Sequence, residues 1–472
     1  MPAPSTRPET PDLLLHARWL VQPHTKTLLE DYAVAIHDGN ITDILPAALA
    51  DTRYAQARER IALPQHVLMP GLINLHTHAA MTLLRGIADD LPFMEWLHQH
   101  IWPAEAKWVS PQFVYDGTLL ACAEMLKGGI TCFNDMYFFP DDAATAVAES
   151  GIRAALGITV LEFPNAWAKN ADEYLEKGLA TRERWRNHPN LSFCLAPHAP
   201  YSVDDTSFVR VRDLAAQLDL PVHLHIHETE TEIHEHEARH GCRPLTRLEG
   251  LGLLTPRLIG VHAVHLDAGE IALLAQRGCH VAHCPTSNLK LGSGVAPLAA
   301  LLEAGINVGL GTDGAASNNR LDLFQEMRLA SLLAKGFLGH DASTVPAWQA
   351  LRMATCNAAR ALGLGEKTGT LATGYAADLI AVDLDCPELQ PCFDPVSHLV
   401  HCAGREHVSH VWVGGTCRVS AKTLLDSSPA TLNQRARLWR NNVGYGFAAR
   451  QVASTVESDM IATPADFDAT SD

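Results

Sequence analysis

Two histidines one residue apart, His76 and His78, close an apolar run that opens at Pro70-Gly71-Leu72-Ile73. In a strand alternate side chains share a face, so both imidazoles project the same way. Such a neutral pair is half of a site for zinc or one of its first-row neighbours. Partners stand at the ends of other strand-like runs. His198 ends one, in Ala196-Pro197-His198, and His223, His225 and His227 alternate along the next, with Glu228 directly after. His262 and His265 sit in a third, and Asp313 ends a fourth, in Gly311-Thr312-Asp313-Gly314. Each alone reads as an ordinary structural residue. Gathered at one rim they read as a metal centre, because so many buried polar groups are costly unless paired. Alternation does not choose among His223, His225 and His227, which share a face. Glu228 has the opposite parity and falls in the loop beyond the strand, where a carboxylate can overhang a substrate.

The elements that must position these groups form a repeating pattern. Strand-like runs at 67–75, 130–134, 154–160, 192–196, 221–226, 258–264, 280–283 and 307–311 alternate with helical patterns such as 115–127, 205–218 and 296–303. Eight strands with intervening helices predict a (β/α)8 barrel of the TIM type, whose site lies at the C-terminal strand ends. Short strands at 13–21, 32–37 and 41–45, with a turn at Asp38-Gly39-Asn40, predict a β-hairpin before the barrel. Similar texture returns at 377–382 and 407–413, with a turn at Gly414-Gly415, so both chain ends are expected to build one small β-sandwich. The division is 1–67 and 367–420 for the sandwich, 68–366 for the barrel, and 421–472 for a C-terminal segment. In that segment a helix is expected from about Asp426 through Leu438 and Trp439. Residues 456–472 are acidic and poor in large apolar groups, the composition of a disordered tail.

Composition narrows the function. The chain has 472 residues, 47% hydrophobic and 19% charged, and a formal net charge of −17, which disfavours nucleic-acid and anionic-membrane partners. No apolar run is long enough to span a bilayer. The start, Met1-Pro2-Ala3-Pro4-Ser5-Thr6, has no secretory character. Eleven cysteines without CxxC pairs argue against a disulfide framework, so the cytoplasm is the expected compartment. Three motifs compete with the metal-barrel reading. His236-Glu237-Ala238-Arg239-His240 matches HExxH, but in so charged a run it reads as a solvated helix. Gly309 to Gly314 matches GxGxxG, yet with Asp313 inside it reads as a strand-end metal site. The PCxxC signature of zinc nucleobase deaminases is absent, so a deaminase here uses another scaffold.

The strings Pro70–His78 with Met81-Thr82-Leu83-Leu84-Arg85-Gly86, His225-Ile226-His227-Glu228-Thr229, Cys284–Gly292 and Gly311–Asn319 together resemble the amidohydrolase superfamily. They are most similar to its 5′-methylthioadenosine/S-adenosylhomocysteine deaminases, near the triazine chlorohydrolases, and the resemblance runs to about Val419. It implies a distorted (β/α)8 barrel with a β-sandwich from both chain ends. It also implies one divalent ion per subunit, zinc first, held by His76, His78, His225 and Asp313. No Lys stands in 154–160 or 192–196 to bridge a second metal. His262 matches the sixth-strand histidine, and His265 is left as a supporting or core residue. By the same resemblance Trp96 and Glu105 lie over the nucleoside, Glu105 takes the ribose hydroxyls, and His198 meets the purine near N3. Glu228 passes a proton to N1, Asp313 acts as base, and His262 orients the attacking water. Relatives that favour S-adenosylhomocysteine carry an Arg in the strand after Arg153. This chain has Gly157-Ile158-Thr159-Val160 there, which points to methylthioadenosine, with Ile158 the place where an introduced Arg tests the point. Adenosine and S-adenosylhomocysteine are further expected substrates, and a homo-oligomer is compatible with this reading. The alternatives are a triazine- or guanine-type hydrolase, which Glu105 opposes, and a non-catalytic scaffold, which the intact histidines oppose.

Overall fold

A computed structural model describes residues 10–339 and 341–444. The segments 1–6 and 456–472, for which no secretory character and a disordered tail are expected, lie outside the described residues.

The first sheet follows from strict alternation. In β1 (Leu13–Gln22), Leu13, Leu15 and Ala17 face one apolar cluster, while Leu14 faces another with Ala50 and Tyr54. β1 pairs antiparallel with β2 (Thr27–His37), which pairs with β3 (Asn40–Pro46), and parallel with β4 (Glu59–Pro70). The C-terminal part of the chain adds β13 (Leu379–Asp383), β14 (Val408–Val413), β15 (Thr416–Ser420) and β16 (Thr423–Leu424), with β13 against β4. These strands form one continuous sheet of eight built from both chain ends, as expected. The sheet curls back on itself. A Cβ added at Gly39, in the β2–β3 turn, would stand 2.8 Å from the carbonyl oxygen of Gly414 in the β14–β15 turn.

The second sheet is parallel: β5 (Leu72–Thr77), β6 (Ile130–Asp135), β7 (Arg153–Val160), β8 (Leu191–Pro197), β9 (Val222–Ile226), β10 (Leu258–His262), β11 (His280–His283) and β12 (Asn307–Leu310), in that order. Helices cover the outside, so strands such as β5 and β7 are buried along their whole length and read as unbroken apolar runs. No backbone ladder joins β12 to β5. The Asn74 side chain closes that seam, accepting from Thr312 N at 2.9 Å and donating to Thr312 Oγ1 at 2.7 Å. The eight strands are the barrel predicted above.

One expectation needs correction. The run 67–75 is two strands, because the chain turns from one sheet into the other at Gly71. A Cβ there would lie 2.1 Å from Thr131 Oγ1, so only glycine permits the turn. Helices at Pro111–Lys127, Asp205–Leu218 and Leu298–Glu303 occupy the predicted helical runs. The C-terminal helix begins at 429, three residues later than expected, and is described to 444. All eleven cysteines are free thiols. No described helix is long and apolar enough to cross a membrane.

Candidate active site

The C-terminal ends of the barrel strands carry the polar cluster. His76 lies in β5 and His78 just beyond it, His225 in β9, His262 at the end of β10, and Asp313 just past β12. Their inward atoms converge: Asp313 Oδ1 lies 3.2 Å from His76 Nε2 and 3.3 Å from His78 Nε2, and His225 Nε2 lies 3.3 Å from His76 Nε2.

The outward ring nitrogens fix the protonation. His78 Nδ1 meets the Met136 carbonyl at 2.6 Å and His225 Nδ1 meets the His198 carbonyl at 2.8 Å. A carbonyl only accepts, so each Nδ1 carries the proton and each Nε2 presents a bare lone pair. His76 Nδ1 is held in the same outward sense by His223 Nε2 at 2.9 Å. Burial pushes His76 down to about 4, so its ring is neutral at pH 7. Burial opposes the charge on Asp313, but the imidazoles of His76, His78 and His262 around it hold the carboxyl well below its usual range. Ser287 and Ser317 donate to Asp313 Oδ2 at 2.6 and 2.7 Å, leaving Oδ1, bonded to Gly314 N at 2.7 Å, facing the histidines. Bare lone pairs and a carboxylate oxygen crowded at 3.2–3.3 Å repel one another unless a cation lies between them. Those spacings are the edges of a tetrahedron with bonds of about 2.0–2.1 Å, so the donor set fits zinc.

Backbone strain marks the same places. His227, His262 and Asp313 have positive φ of 51°, 70° and 63°. Such residues cost energy and persist where the surroundings demand them. The turn at His227 resolves the ambiguity of the β9 histidines. β9 ends at Ile226, and His227 swings away to accept from Leu245 N at 3.2 Å. His223 meets the outward Nδ1 of His76, and His225 alone of the three brings its Nε2 to the inward Nε2 of His76. His265 bonds the Ser293 carbonyl at 2.7 Å, outside the cluster.

Glu228 overhangs the centre, its Oε2 3.8 Å from His262 Nε2. Burial, and then the charge of Asp313, push its carboxyl up to about 8, so it holds a proton at neutral pH. His262 Nδ1 is fixed by Asn288 Oδ1 at 2.8 Å, which turns Nε2 toward Glu228. All four expected substrate-binding residues, Trp96, Glu105, His198 and Glu228, line one cavity of about 340 Å³ with His78, His225 and Asp313. Tyr137 donates to Glu105 Oε1 at 2.7 Å, and burial raises Glu105 to about 7. His198 is kept neutral by burial, at about 3, with Nδ1 2.9 Å from Ser202 Oγ. The segment 157–160 contributes Thr159 to the cavity, whereas Ile158 packs against Gly178 of the outer helix, so Ile158 is the wrong position for a tail-binding Arg. Asn288, Ser287 and Ser317 stand within the motifs quoted above, although only the structure gives them a task. Tyr137 carries no signal in the sequence.

Neither competing motif builds a site of its own. His236 and His240 stack ring on ring at 4.3 Å in the helix Glu230–His240, and no third ligand joins them among the described residues. A Cβ at Gly311 would stand 2.9 Å from His76 N, so glycine there lets the chain after β12 approach β5.

Comparison with known proteins agrees. The model of the amidohydrolase family matches residues 67–417. A 5-methylthioadenosine/S-adenosylhomocysteine deaminase of Teredinibacter turnerae is 47% identical over 93% of this chain and 99% of its own length. An adenosine deaminase from Xanthomonas campestris, solved with bound zinc, is 48% identical with a TM-score of 0.91, covering 93% of this chain and 100% of that one. Atrazine chlorohydrolase from Arthrobacter aurescens, complexed with zinc, is 25% identical with a TM-score of 0.83, over 90% of this chain and 99% of its own. With the family model matched over residues 67–417 and a relative 47% identical along nearly the whole chain, the chain belongs to the amidohydrolase family.

Proposed function

We propose that the chain catalyses metal-dependent hydrolytic deamination of adenine nucleosides, with 5′-methylthioadenosine the preferred substrate and 5′-methylthioinosine the product. The observation that carries this reading is one cavity holding the histidine–aspartate cluster, the protonated Glu228 and the buried Glu105. A buried carboxylate with one oxygen on Tyr137 and no cation lining its cavity among the described residues still needs donors. The two hydroxyls of a ribose supply them. Triazines and guanine do not.

The ion, when bound, lowers the pKa of a water ligand from 15.7 toward about 7 and so supplies a nucleophile at neutral pH. Asp313 takes the proton of the attacking water, and His262, its Nδ1 donating to Asn288, orients that water through Nε2. Glu228 gives its proton to the purine N1, so that ring electrons are drawn away as C6 becomes tetrahedral. The neutral His198 presents one ring nitrogen to the purine while Ser202 holds the other. Trp96 covers the base. On collapse the proton held by Asp313 passes to the leaving amine, ammonia departs, and the proton of the new C6 hydroxyl returns to Glu228.

The far side of the cavity is apolar, with Phe93, Trp102, Phe138, Leu161 and Phe163, and no Arg or Lys lines it among the described residues. A methylthio group gains burial there, worth about 0.8 kcal/mol per CH₂-sized group. The carboxylate of S-adenosylhomocysteine finds no ionic partner. An ammonia-release screen over methylthioadenosine, S-adenosylhomocysteine, adenosine, adenine, guanine and atrazine tests the reading. Methylthioadenosine should show the highest kcat/KM, with free adenine poor. Preference for guanine or a triazine would overturn it.

A further inference from the structure

Outside the barrel centre, the described residues hold one other group of metal-ligating side chains, Cys386, Glu388 and His407, with one donor atom of each within 4.8 Å of the other two. None of them lines the nucleoside cavity. Cys386 and Glu388 come from the loop and short turn after β13, and His407 from the turn Arg405–His407 before β14. Between these two segments lies the helix Pro395–His401.

The spacing is that of a long hydrogen bond and equally suits two ligands of one ion. His407 Nε2 stands 3.4 Å from Glu388 Oε1. A charge-assisted N–H···O bond closes to about 2.7–2.9 Å. Two donors sharing a tetrahedral ion at about 2.0–2.1 Å stand about 3.3–3.4 Å apart. The barrel cluster of this same chain shows the pattern, with 3.2, 3.3 and 3.3 Å between its inward atoms. The ring is supported in either protonation state. Its Nδ1 lies 3.0 Å from Gly404 N and 3.3 Å from Gly404 O. Without a metal, Nδ1 accepts from the amide and Nε2–H points at Glu388. With a metal on Nε2, Nδ1–H donates to the carbonyl, the usual partner behind a ligating histidine. Thiolate, carboxylate and neutral imidazole together carry two negative charges, matching a divalent ion, and the sulfur selects zinc-class ions over magnesium or calcium. His407 is buried, Cys386 is half-buried and the Glu388 side chain is 64% exposed, which leaves an open side for entry and for water.

We infer that Cys386, Glu388 and His407 form a second divalent-metal site of the zinc class, separate from the catalytic centre, that ties the segment after β13 to the segment before β14. Binding displaces the Cys386 thiol proton to solvent as the sulfur–metal bond forms. With three protein ligands the site binds more weakly than the four-ligand barrel centre.

The sulfur makes the site separately visible. The barrel ligands His76, His78, His225 and Asp313 contain none, so a thiolate-to-cobalt charge-transfer band can arise only elsewhere. Metal-free full-length protein titrated with Co²⁺ should fill the barrel centre first. The near-ultraviolet thiolate band should then grow with the second equivalent and be discharged by Zn²⁺. Cys386→Ser should abolish the band, and Glu388→Gln, at an exposed side chain, should weaken its titration about tenfold or more. Both variants should keep wild-type deaminase activity, which also reports that they are folded. No thiolate band under excess Co²⁺, or a band unchanged in Cys386→Ser, would overturn the inference.

Discussion

Replacing Glu228 by glutamine keeps the shape of the side chain and removes the proton it carries. Burial and the neighbouring Asp313 raise this carboxyl to about 8. At pH 7 roughly ten molecules therefore hold the proton for each that has lost it, since one pKa unit is a factor of ten. On the proposed mechanism the wild-type residue is loaded to protonate the purine, and glutamine cannot be. A positioned proton donor is worth roughly 10²–10⁴-fold, or about 2.7–5.5 kcal/mol of barrier. Steady-state ammonia release from methylthioadenosine should show kcat lowered by at least the smaller figure. Metal content and nucleoside Kd should stay near wild type, because the Oε2 contact nearest the cluster is with His262, at 3.8 Å. The pH dependence carries a second signature. Wild-type kcat should decline as Glu228 ionises, on the alkaline limb near pH 8, whereas the residual activity of Glu228→Gln should lack that limb. Turnover near wild type, or an unchanged alkaline limb in the variant, would show that another group protonates N1.

Three further outcomes are expected. Glu105→Ala should reduce kcat/KM for nucleosides by about 1.5–3 kcal/mol, roughly 10–150-fold, the scale of hydrogen bonds to a charged group; an effect equal on ribose-free bases would deny it the ribose. In the Cys386→Ser background, where only the barrel site remains, about one ion per chain should be found by metal analysis, lost in His225→Ala and kept in His236→Ala. Arg153 holds Asp378 in a buried two-point ion pair at 3.0 and 3.1 Å that joins the barrel to the first sheet. Arg153→Met should cost about 3–5 kcal/mol in denaturant unfolding, because Asp378 is left charged and buried.

The sequence makes the strand-end chemistry legible because barrel topology gathers strand ends whatever their separation along the chain. His76, His78, His198, Glu228, His262 and Asp313 all stand where alternation and strand order place them. Two features resist such reading for physical reasons. Gly71 breaks an apolar run into two strands, and what requires the glycine is Thr131, sixty residues away. His227 shares the parity of His225, but a left-handed backbone and the Leu245 amide turn it outward. Local pattern contains neither cause. Likewise Tyr137 follows β6 without any motif, and only its 2.7 Å bond to Glu105 shows what it does. The missing cation after Arg153 is legible as an absence, while the cavity-facing position is Thr159 rather than Ile158.

The central claim is that the chain's barrel-held metal centre adds water to C6 of an adenine nucleoside and releases ammonia. Methylthioadenosine incubated in heavy-oxygen water tests this most directly, with the zinc-loaded protein set beside the same protein stripped by a chelator. One heavy oxygen at C6 of methylthioinosine and one ammonia per product are predicted, with turnover lost on stripping and restored by zinc. An unchanged nucleoside with the loaded protein, a product without heavy oxygen, or equal turnover after stripping would contradict it.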